Sequence, residues 1–162
     1  MDFHTKLPRN KKEFALFIIV ISIISVNSIA PLITFFEIGF TLNTWNEVLK
    51  VIPVLWLTVI VFVLITYHPA EFLTKKIINE EDSFKSVITI NILCTVFILS
   101  IILTIVGTWI GSRHISTEPI IHFFYKWPRN FTIALGIELL IAQPIARLVM
   151  VKYHKYIDNY HC

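Results

Sequence analysis

Four stretches of this chain are too apolar for too long to serve as the core of an ordinary soluble domain. Residues 14–36 hold no Asp, Glu, Lys or Arg over 23 positions, residues 51–70 none over 20, and residues 86–112 none over 27. A fourth stretch, residues 130–149, is interrupted by Glu138, with Arg147 near its end. A helix rises about 1.5 Å per residue, so about 20 residues cross a hydrocarbon layer about 30 Å thick. Hydrophobic residues make up 56% of the chain and the mean hydropathy is +0.72. Soluble domains usually hold about 45–50%. The pattern predicts an all-α membrane protein with four transmembrane helices and the lipid bilayer as its first partner.

Other classes fall away. The net charge is +3 and the 14 Lys and Arg gather beside the apolar runs, which argues against nucleic-acid binding. Cys94 sits inside an apolar run and Cys162 is the last residue given, so a disulfide between them is not expected. The six histidines are scattered and read as interfacial residues, so no metal is expected. With four glycines there is no Gly-rich phosphate loop, and no serine elbow or metal-ligand helix appears. A lone acid without a nucleophile is a poor basis for catalysis, so neither an enzyme nor a cofactor is expected.

Taken in order, the basic start Lys6–Lys12 precedes the first apolar run, as in a signal peptide. The run is longer than a signal core, and Pro31 directly follows the small-residue site Ser28-Ile29-Ala30, so an uncleaved helix over about 14–36 is expected. Gly39 can end it. Thr44-Trp45-Asn46-Glu47 has capping-box form and places the next helix over about 44–70, with kinks at Pro53 and Pro69. Residues 79–85 form a charged connection, and Asp82 or Ser83 can cap the third helix, about 86–111. Gly107 and Gly111 lie four apart, the spacing of a close helix contact. Phe123, Phe124, Tyr125 and Trp127 form an aromatic belt before the fourth helix, about 119–151, and a wet tail follows. Ten Lys and Arg fall on the side of the N-terminus, the middle connection and the C-terminal end, against Lys50, Arg113, Lys126 and Arg129 on the other. The positive-inside rule places both termini in the cytoplasm.

The chain also matches itself. Pro53 and Pro69 are sixteen apart, as are Pro128 and Pro144, and the pairs are offset by 75 residues. This predicts two parallel-oriented helix–loop–kinked-helix repeats, residues 1–78 and 86–162, related by an axis along the membrane normal. The positions matching Glu138, Gln143 and Arg147 are Val63, His68 and Phe72, so the polar set belongs to one half.

Two motifs carry a resemblance. Pro8-Arg9-Asn10-Lys11-Lys12-Glu13 precedes the first helix, and Trp127-Pro128-Arg129-Asn130-Phe131 is followed by Glu138 to Arg147. Together they are similar to members of the family called domain of unknown function 2798, small bacterial membrane proteins often built as tandem pairs. The resemblance implies an inner-membrane location. It carries no established activity, so it transfers no site residues.

Glu138 is the sharpest candidate. An ionised side chain at the midplane costs at least about 2.5–3.5 kcal/mol. It reads either as a proton- or cation-binding acid or as a carboxyl that holds the bundle in register by a hydrogen bond. Gln143, beside the carbonyl freed by Pro144, and Asn27, near the midplane of the first helix, are its expected companions in a substrate or ion site. Ser28, Ser100 and Thr104 lie at similar depth. Serines and threonines in such helices usually bond to their own backbone. Arg147 and Lys152 read as lipid-headgroup contacts, and Asn91 as a helix–helix hydrogen bond. The reading that follows is small-solute or ion permeation, with a non-catalytic scaffold as the alternative, and with a homo-oligomer or another membrane protein as partner. A His114→Cys variant lacking the native cysteines should react with a membrane-impermeant maleimide from outside; labelling from the cytoplasmic side alone would overturn the orientation.

Overall fold

The computed structural model describes residues 8–79 and 82–160, so Lys6, Cys162 and two of the histidines, His4 and His161, lie outside the described residues. Every long element is a helix, because in hydrocarbon only a helix satisfies its backbone polar groups within one segment. α1 spans Lys11–Ile38, α2 Leu42–Ile77 and α3 Phe84–Ser112. A four-residue helix α4, Glu118–Ile121, then leads into α5, Phe123–Ile137. A π-helical turn over Glu138–Ala142 joins α5 to α6, Gln143–Tyr160, and these three form the fourth span. Among the described residues four helices are long and apolar enough to cross a membrane, and the chain is a multi-pass membrane protein.

The ends are set by local chemistry. The Asn10 side chain accepts the Glu13 N–H and starts α1; Ser83 does the same for Ser86 and starts α3. Thr41, not Thr44, caps α2: its hydroxyl accepts the Thr44 N–H, and the two hydroxyls lie 2.8 Å apart. The expected box therefore sits three residues inside the helix it was to begin. Gly39 ends α1 with φ of 81°, a conformation that only glycine adopts freely.

The spans form a closed ring. α1 packs on α2, α2 on α3, α3 on α5, and the fourth span returns to α1. Among the described residues α1 and α3 sit at opposite corners, as do α2 and the fourth span. The interior is small and polar and the outside is large and apolar. Ser22, Ser25, Thr66, Thr74, Ser100, Thr104, Asn130 and Glu138 are buried, together with Ala70, Ala142 and Ala146. Leu57, Leu64 and Leu140 are exposed. This inversion follows from the solvent: lipid tails are as apolar as leucine, so helices associate through close packing and hydrogen bonds. Thr58, Thr66, Thr74, Thr95 and Thr108 each donate to the carbonyl four residues back, so most hydroxyls are satisfied within their own helix.

Three expectations need correction. Gly107 and Gly111 face open space, with no atom near where a side chain would begin, so they mediate no close contact within the bundle. The fourth span is continuous but carries a π-helical turn over Glu138–Ala142 in place of a simple proline kink. The expected wet tail is helical as far as Tyr160, because the buried stripe Ala142, Ala146, Met150 continues at four-residue spacing to His154. Asn91 behaves as expected, its amide donating to Thr74 across the α2–α3 contact at 3.2 Å. Ala146 is 1% exposed, so Ala146→Leu should overpack the bundle and destabilise it by about 1–3 kcal/mol, read as a lower melting temperature in detergent micelles.

Candidate functional site

The site is assembled where the fourth span loses its regular helix. Pro144 has no N–H, so the carbonyl of Leu140 lacks its usual partner. The Gln143 N–H instead reaches back five residues to the Glu138 carbonyl, which is the π turn. Such a turn takes up one extra residue. The buried stripe of α2, Thr66, Ala70 and Thr74, therefore recurs at Ala142, Ala146 and Met150, 76 positions on, while the prolines recur at 75.

Glu138 is the first residue of this turn and is 9% exposed. Across the α1 contact Ser25 donates its hydroxyl to Glu138 Oε2 at 2.6 Å. The Gln143 side chain also reaches the carboxyl. The Gln143 oxygen in turn accepts from the Arg147 guanidinium at 3.4 Å. That contact orients the amide with its nitrogen toward Glu138. Ser25, Glu138, Gln143 and Arg147 thus form one polar string, in which the donors point toward the acid. Such a string receives negative charge on the carboxyl and couples it to a fixed cation about two and a half helical turns away.

The sequence had placed Glu138 and Gln143 together, and they are together. Asn27 is elsewhere: it is exposed on α1 and donates to the Ile23 carbonyl at 2.8 Å. Two residues separate it from Ser25, enough to turn it to another face of the helix. Ser100 and Thr104 also lie outside the string. Trp127 Nε1 donates to Ser100 Oγ at 2.9 Å and the Asn130 amide to Thr104 Oγ1 at 3.3 Å, fastening α5 to α3. Trp127 stacks between Phe123 and Phe131, with Phe97 edge-on to it, so this part of the aromatic belt packs on α3. Arg147 turns toward Gln143, whereas Lys152 is exposed as a headgroup contact requires. Pro53, Pro69 and Pro128 lie inside α2 and α5, and so does Pro31 inside α1.

A second polar contact closes the same α1–fourth-span seam near the start of α1. His154 Nε2 lies 2.9 Å from Glu13 Oε2, with both side chains buried. The Glu13 carboxyl also receives the Arg9 N–H and the Asn10 amide. Between the two acids run Ser22, Ala142, Ala146 and Met150, all buried. Sequence reasoning missed this pair because His154 lay in the supposed tail; the Asn10-to-Glu13 cap and the four-residue stripe from Glu138 to His154 were the signals. On the opposite side of the membrane, Glu37 at the end of α1 meets Arg129 at 3.0 Å and Lys126 at 3.5 Å, and Lys126 also pairs with Glu118 at 2.8 Å. Among the described residues no cluster of three or more His, Cys, Asp or Glu could hold a metal ion.

Because Ser25 and Glu138 face each other directly, a double-mutant cycle on Ser25→Ala and Glu138→Gln should give a coupling of about 0.6–1.7 kcal/mol in unfolding free energy. Additive effects would mean that the 2.6 Å contact is not formed in the bilayer.

Neither a curated protein nor a solved structure gives a match to the chain. Residues 84–154, from the start of α3 to the histidine that pairs with Glu13, match a family model whose description is domain of unknown function. With α3, the π turn and the residues from Glu138 to Arg147 inside that match, the second half of the chain is similar to the DUF2798 family.

Proposed function

We propose that the protein is a non-enzymatic, multi-pass protein of a bacterial inner membrane that supports permeation of a small solute or ion, with Glu138 as the exchangeable site. The observation that carries this reading is the placement of a buried carboxyl on a π turn, at the contact between α1 and the fourth span. π turns inside helices are frequent at functional sites, and a carbonyl freed at membrane depth beside an acid can replace part of an ion's hydration. The two proline-bearing halves support reading the chain as a tandem of parallel-oriented repeats, with both termini in the cytoplasm. Protonation of Glu138 removes its charge and makes it a weaker acceptor for the Ser25 hydroxyl. That weakening couples the acid to the α1 contact. Gln143 and Arg147 hold the charged form on one side only, so exchange proceeds from the other.

A second reading is favoured by a different observation. Glu138 already has partners on α1 and on its own helix, and Ala142 and Ala146 pack without exposure beneath it. An acid so placed can simply hold helices in register in a scaffold that binds another membrane protein.

Glu138→Gln separates the two. In vesicles carrying a proton or monovalent-cation gradient, with flux followed by an enclosed dye, the permeation reading expects more than tenfold loss while helical content and melting temperature are kept. Equal flux in wild type and variant would sink it. The scaffold reading expects no flux from either.

A further inference from the structure

One polar side chain in the middle of a span faces away from the bundle. Asn27 lies near the midpoint of α1 and is exposed on a surface otherwise made of Ile19 and Ile23, 41% and 45% exposed. Its only hydrogen bond among the described residues is one amide N–H to the Ile23 carbonyl, which leaves its side-chain oxygen and second N–H without a partner. Pro31, four residues on, removes the N–H that would bond the Asn27 backbone carbonyl. Two acceptors and a donor are therefore left where hydrocarbon offers none.

We infer that this face of α1 binds a second copy of the chain, as a parallel pair of α1 helices related by a two-fold axis along the membrane normal. A side-chain amide carries donor and acceptor together, so it is complementary to itself. In two copies inserted with the same orientation, Asn27 meets Asn27 of the second copy at the same depth, and each amide satisfies the other. The surrounding spacing fits a helix pair. Val20, Ile23, Asn27, Ala30 and Thr34 recur at alternating three- and four-residue steps, and none of them is buried within one copy. A single asparagine in such a seam fixes register and number of strands. Ser22, Ser25 and Val26 face the interior of the bundle, so the pairing leaves the Glu138 contact untouched and does not depend on the function proposed above. The interface is of the self-complementary kind expected of a two-fold dimer.

The test uses full-length protein in lipid vesicles, labelled separately with donor and acceptor dyes and diluted with lipid. Wild type should show energy transfer that falls on dilution as a dimer's does. Asn27→Leu should weaken association about tenfold and Asn27→Gln should retain it, with unchanged melting temperature in both. In a chain lacking the native cysteines, Ile23→Cys and Ala30→Cys should form disulfides between copies and Ser25→Cys should not. A monomer at every dilution, association as strong in Asn27→Leu as in wild type, or cross-links only from the exposed face of α2, such as Leu57→Cys, would each overturn the inference.

Discussion

The structure depends on one constraint: hydrocarbon does not solvate polar groups. In water an unpaired amide or hydroxyl falls back on the solvent, whereas here each must find a partner on the chain or at a membrane surface. Many details follow. The threonines return their hydroxyls to their own helices. Asn91, Asn130 and Trp127 spend their donors on neighbouring helices and so decide which helices pair. The charged groups at the surface opposite His154 neutralise one another, with Glu37 shared between two cations. The ring of four spans is held less by oil-like cohesion than by small residues and directed bonds at its corners.

Within that frame the α1 contact with the fourth span is unlike the others. Among the described residues the α2–α3 contact carries a neutral bond between Asn91 and Thr74 inside the bundle and an exposed ion pair between Glu47 and Arg113 at its end. The α1–fourth-span contact has Glu138 near its middle and Glu13 near one end, and each acid is held by a polar partner across the seam. A change in either carboxyl is therefore felt by both helices.

Much of this was legible in the residues, and the parts that were not have a common cause. The four spans follow from run length alone, and the Glu138–Gln143 pairing from a proline next to an amide. Asn27 was misassigned because depth can be counted along a sequence but rotation about a helix cannot; two residues decide between Ser25, which faces the acid, and Asn27, which faces out. Rotation also explains Arg147, which read as a headgroup contact and turns toward Gln143. The continuation of α6 to His154 was hidden because Lys152 and Lys155 look like a solvated tail, while the residue between them is buried against Glu13.

The π turn sets the phase of everything that follows it. An α-helix turns about 100° per residue, so the extra residue in Glu138–Ala142 fixes the rotation of all of α6 relative to α5. Without it, Met150 and His154 would swing toward another face, and Glu13 would lose its partner about 20 Å away. A local rewinding at the acid would thus reach the far end of the seam as a twist. The helix is built less like a post than like a shaft with one adjustable coupling.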